Sequence, residues 1–182
     1  MTDAERREAA RQFIQKWNGK GKEDEDDRSY WIDLLSRLMG LDNVTDHIEF
    51  QKKVIVEGNT KRIDAYIPET RVLIEQKSYG IALDKELNQS GGITLTPYEQ
   101  AKRYNDNLPF DEKARWIVTS NFAEKWIYDM NMKVPAPQKI CLTDLREQYP
   151  RLDFLISKET IKISQEMQVS LQAGDLVGAM SV

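Results

Sequence analysis

The segment Arg71–Ser78, RVLIEQKS, constrains the chain more tightly than any other. Successive side chains of a strand point to opposite faces of its sheet. Three apolar residues in a row, Val72, Leu73 and Ile74, therefore ask for cover on both faces, as in the middle of an α/β sandwich. The same segment then runs into Glu75 and Lys77. A charge in a half-buried strand position costs several kcal/mol unless it is paired or holds a metal. The sheet must be covered on both sides, and something must answer those charges at the end of this strand.

The remaining segments supply the cover. Ala9, Phe13, Ile14 and Trp17 recur at helical spacing, so residues 3–17 form a first amphipathic helix that stops at Asn18-Gly19. The acids Glu23 to Asp27 read as a solvated loop that feeds negative charge to the start of a second helix over 29–40, with Ser29 as its cap. From Ile48 the period changes, and two alternating segments around Gly58-Asn59 predict a β-hairpin. LTPYEQAKRYNDNLP is a helix with Pro97 in its first turn. ARWIVTSN is an apolar strand, KWIYDM another, and QKICLTDL a short strand running into a helical turn. The expected fold is α/β: a mixed central sheet flanked by helices, with a weakly amphipathic helical tail at the C-terminus.

Composition narrows the chemistry. Among 182 residues there is one histidine, His47, and one cysteine, Cys141. No disulfide framework and no zinc site of Cys/His type can be assembled from one chain. Catalysis must run on carboxylates, lysines, hydroxyls and backbone. The 26 basic and 30 acidic residues leave a net charge of -4. Bulk charge thus disfavours a strong grip on nucleic acid, though not a local basic lip around a site. No apolar run approaches a membrane span, and the charged start is no signal peptide, so the expected setting is cytoplasmic, without a membrane partner.

Period-2 alternation puts Glu75 and Lys77 on one face of their strand and Gln76 on the other. On the hairpin's second strand, Asp64 lies between Ile63 and Ala65, a carboxylate in apolar company. If the two strands pair, Asp64 and Glu75 converge with Lys77 alongside. Two carboxylates and a lysine suit magnesium-assisted phosphodiester hydrolysis. The acids hold a hard cation that keeps several waters, the cation acidifies a water, and the lysine orients that water or stabilises the charged phosphate. The pattern alone equally fits a salt bridge on a solvated edge strand.

Asp64, then Glu75-Gln76-Lys77 after ten intervening residues, resembles the D-x(n)-E-x-K signature of the PD-(D/E)XK (restriction-endonuclease-like) nucleases, with Ile63 where that signature often has proline. Gln100 and Tyr104, four apart on one helix, resemble its QxxxY element. The segments WNGKG, YWIDLL, HIEFQKKV, IDAYIP, VLIEQKS, LTPYEQAKRY, RWIVTSNF and VSLQAGDLVG are similar to the N-terminal endonuclease domain of MmeI-like bifunctional restriction-modification enzymes, type IIG or IIL. That resemblance implies a nuclease domain over residues 1–158. Residues 159–182 would then start a helical connector to an S-adenosylmethionine-dependent adenine methyltransferase and a target-recognition domain, neither of which this sequence contains. It implies Mg²⁺ at Asp64 and Glu75 with Lys77 as third catalytic residue, double-stranded DNA as substrate, and transient pairing of two domains for double-strand cleavage.

Other candidates follow from position. Gln100 and Tyr104 would support the site, with Glu49 as a weaker extra acid; Lys102, Arg103, Ser120 and Asn121 are candidate DNA contacts. A competing reading is a nuclease-like fold used as a non-catalytic DNA-positioning or docking module; a third is a nuclease acting on RNA or single strands.

Overall fold

A computed structural model describes residues 1–157; the expected connector over 159–182 lies outside the described residues. Six strands form the main sheet in the order β1-β2-β3-β6-β7-β8. These are β1 (Glu49–Val56), β2 (Asn59–Ile67), β3 (Val72–Gln76), β6 (Trp116–Ser120), β7 (Glu124–Asp129) and β8 (Gln138–Cys141). Every pairing is antiparallel except β3 with β6. A parallel pair needs a crossover, which α3 (Pro97–Asp106) supplies. All five residues of β3 are buried, as its apolar run requires.

Two apolar layers cover the sheet. One unites Val72, Ile74 and Val118 with Phe13 and Trp17 of α1 (Asp3–Trp17) and with Tyr30 and Trp31 of α2 (Glu23–Asp33). The other unites Leu73 and Ile117 with Ala101 and Tyr104 of α3. Capping boxes fix where two helices begin: Thr2 with Glu5 for α1, and Thr96 with Glu99 for α3, where Pro97 follows the cap.

The acid run does not precede α2 as a loop; it is the start of that helix. Glu23, Asp24, Glu25 and Asp26 fill the first turn, and Ser29 lies inside the helix rather than capping it. The unpaired N–H groups of a first turn favour carboxylates, so the run starts the helix without a side-chain cap. The helix then continues through one π-helical turn, Leu34–Leu38. A small hairpin of β4 (Leu87–Asn88) and β5 (Thr94–Leu95) was not foreseen, because two-residue strands are too short to show a period. No helix among the described residues is long and apolar enough to cross a membrane.

One irregularity sets up the site. The β1–β2 ladder pairs Phe50 with Ala65 and Lys52 with Ile63 but skips the position between, Gln51 opposite Asp64. Gln51 is in left-handed backbone, φ 57°. Across this break the faces change: Ala65 packs into the α1/α2 layer, whereas Ile63 joins the α3 layer. Asp64 sits at the twist.

Candidate functional site

Strand β2 pairs with β3 through Ala65 and Ile74, so the next residues outward are Asp64 and Glu75. The Asp64 carboxylate accepts the Gln76 backbone N–H at 2.7 Å, taking the place of the missing ladder bond. The Lys77 N–H extends the opposite side of the strand by donating to the Ser120 carbonyl at 2.7 Å. Between them, Gln76 turns to the other layer, where its Oε1 accepts the Trp31 indole N–H at 2.9 Å. The middle residue of Glu-Gln-Lys is thus an anchor, and its two neighbours face the α3 side together.

Lys77 is the hub of that side. Its Nζ lies 3.0 Å from Glu75 Oε1 and 3.9 Å from Glu23 Oε1, and it donates to Gln100 Oε1 at 3.2 Å. Gln100 in turn donates through Nε2 to the Tyr104 hydroxyl at 3.1 Å. Glu75 is only 2% exposed, and its Oε2 has no hydrogen-bond partner. A buried acceptor left unmatched is costly and asks for an explanation.

The electrostatics repeat that message. Burial pushes the Asp64 carboxyl up to about 7, with Glu23 adding to the rise and the Gln76 N–H opposing it. Burial, reinforced by Asp64, raises Glu75 well above the usual carboxylate range. Burial also raises Glu23, against the pull of Lys77. Lys77 goes the other way: burial works to lower it, but Glu75 and Glu23 outweigh burial and keep the ammonium charged. Three carboxyls share one ammonium, so the cluster is short of positive charge. Among the described residues no group of three or more His, Cys, Asp and Glu side chains is gathered as a metal cage. What the site offers is an acidic pair with an unmatched oxygen, a donor set suited to a hard cation that retains most of its water.

Of the residues singled out from sequence, Asp64, Glu75, Lys77, Gln100 and Tyr104 come together here. Glu49 does not: it lies 3.6 Å from Lys52 at the exposed start of β1. Lys102 and Arg103 are engaged by acids, with Asp106 at 2.8 Å and Glu57 at 3.1 Å. Ser120 and Asn121 are not on the surface where DNA could reach them. Both are buried; Ser120 Oγ accepts the Phe122 N–H at 3.3 Å, and Asn121 donates to the Ile81 carbonyl at 2.8 Å and accepts the Glu124 N–H at 2.8 Å. They shape the β6–β7 turn. Glu23 was missed because nothing in the acid run separates it from its neighbours. Its place depends on a tertiary tether, the Glu23 N–H donating to Ser78 Oγ at 2.9 Å.

The family model described as MmeI, N-terminal domain matches residues 6–182. The chain belongs to this family. No curated protein and no solved structure matches it. Membership in the MmeI N-terminal-domain family sets the chain in the context of restriction enzymes.

Proposed function

We propose that this chain is the endonuclease domain of a bifunctional restriction-modification enzyme, cutting duplex DNA by Mg²⁺-dependent phosphodiester hydrolysis on a PD-(D/E)XK-type core. The observation that carries this reading is the buried Glu75 Oε2, which has no hydrogen-bond partner and lies beside Asp64. Asp64 and Glu75 would hold the ion. A divalent cation there supplies charge against the negative charge that develops on the phosphate and makes a nearby water easier to deprotonate. Asp64 is held in place by the Gln76 N–H, so it presents its free oxygen without reorganisation. Lys77 delivers a fixed ammonium to the phosphate oxygen or the attacking water. Gln100 holds Lys77 from the α3 side and is itself held by Tyr104. Target recognition and adenine methylation belong to further domains of the same enzyme, and cutting both strands calls for transient pairing of two nuclease domains.

Mn²⁺ titration calorimetry combined with plasmid cleavage tests the proposal. Asp64→Asn and Glu75→Gln should abolish Mn²⁺ binding and reduce cleavage by at least ~100-fold, the scale of removing one strong electrostatic contributor. Lys77→Ala should lose cleavage yet retain the ion. Cleavage that survives Asp64→Asn or Lys77→Ala overturns the assignment. A docking module without chemistry would bind no Mn²⁺ at these residues.

A further inference from the structure

The β1–β2 hairpin carries four cations, Lys52, Lys53, Lys61 and Arg62. Lys52 is ion-paired, 3.6 Å from Glu49 and 3.5 Å from Glu112, and Lys61 donates to the neutral Ser90 Oγ at 2.7 Å. Lys53 and Arg62 are different. They are directly opposite each other across the two strands, both exposed, and neither makes an ion pair among the described residues. Like charges placed directly opposite repel and weaken a hairpin. This pair is close to Asp64 along the strand and faces away from the α3 layer, into which Val54 and Ile63 pack. Arg62 is two residues from Asp64, and its Nη1 donates to the carbonyl of Gln51, the left-handed residue facing Asp64, at 3.4 Å. In a chain of net charge -4, an unneutralised cationic pair beside an acidic site is a local exception.

We infer that the exposed face of the β1–β2 hairpin, centred on Lys53 and Arg62, binds the phosphate backbone of duplex DNA next to the scissile bond. The choice of DNA as occupant rests on the endonuclease reading, and the charge complementarity rests on the pair itself. Backbone phosphates neutralise both cations at once and relieve the repulsion between them. Their sequence-independent contacts would set the path of the duplex past Asp64 and Glu75.

Fluorescence anisotropy on a labelled blunt duplex, with Ca²⁺ replacing Mg²⁺ and over a KCl series, reads this directly. Each phosphate contact contributes about 0.9 to the slope of log affinity against log salt, so K53Q/R62Q should flatten the slope by nearly two and weaken low-salt binding about tenfold. A control of equal charge change at two exposed sites elsewhere, K133Q/R146Q, should bind like the unsubstituted chain. K53R/R62K, which keeps both charges, should retain the affinity. Unchanged binding by K53Q/R62Q, equal loss in the control, or no binding by the unsubstituted chain at low salt overturns the inference. Thermal melting guards against misfolding: K53Q/R62Q should melt no lower than its parent, since it removes a like-charge pair. The two proposals fail separately. Binding that depends on Lys53 and Arg62 without any cleavage removes the endonuclease and leaves the hairpin's DNA contact. Cleavage that is indifferent to this pair removes that contact alone.

Discussion

Lys125 brings an amine into the interior beneath α2 with no acid beside it among the described residues. It is 1% exposed, lies 4.6 Å from the centre of the Tyr30 ring and 5.7 Å from that of Trp31, and donates to the Tyr30 hydroxyl. Burial pushes its pKa down to about 7, whereas the unfolded chain holds the proton up to the ordinary lysine range. Between these values the unfolded state binds more protons than the folded one, so stability rises with pH, by about 1.4 kcal/mol per unit at the steepest. The penalty is absent above the unfolded pKa, grows as pH falls toward 7, and is constant below that. Chemical denaturation between pH 7 and pH 9.5 should therefore show increasing stability. Lys125→Met should flatten the profile and raise stability at pH 7; an unaltered slope in that variant would refute the account. Nothing in the sequence marks Lys125 as buried. It lies in the apolar strand KWIYDM, and only the packing of α2 over β7 decides that its head group is enclosed by aromatics.

Strand β1 shows how an element can aim a residue that it does not contain. Left-handed Gln51 breaks the ladder opposite Asp64 and lets β2 change faces there. Left-handed backbone costs a side-chain-bearing residue roughly 1–2 kcal/mol, which glycine avoids. Gln51→Gly should thus stabilise the fold by about 1 kcal/mol, while Gln51→Val should destabilise it by a similar amount or more and weaken Mn²⁺ binding as Asp64 loses its aim. Urea melts and calorimetry measure both, and a Gln51→Val protein indistinguishable from its parent would show that the break has no such role. The strand alternation that put Glu75 and Lys77 together and Gln76 opposite was legible from period alone. The twist at Asp64 was not, since a glutamine carries no signal for left-handed backbone. The start of α2 was misread for a related reason: a run of acids serves equally as a solvated loop or as the first turn of a helix.

For the whole molecule, the decisive quantity is the balance of charge where β2, β3, α2 and α3 meet. A ligand that binds only the folded state at a hundred times its Kd stabilises by about 2.7 kcal/mol, or roughly 5–10 °C for a domain of this size. Saturating Mg²⁺ or Mn²⁺ should raise the melting temperature by that order, and Glu75→Gln should remove the shift. A metal-induced shift that persists in Glu75→Gln would mean that the ion binds elsewhere.

Local sequence alone determined the layers, the central strands and the shared face of Glu75 and Lys77, and it offered Asp64 as their neighbour only on the condition that β2 and β3 pair. Period and apolar runs report directly which faces must leave water, and a charged end on a buried strand must be answered nearby. Tertiary structure decided the rest: Glu23 reaching Lys77 from another helix, Ser120 and Asn121 turning inward, and Lys53 meeting Arg62 across a hairpin. Each depends on how the backbone sets the distance between side chains, and electrostatic and hydrogen-bond energies follow that distance rather than separation in sequence.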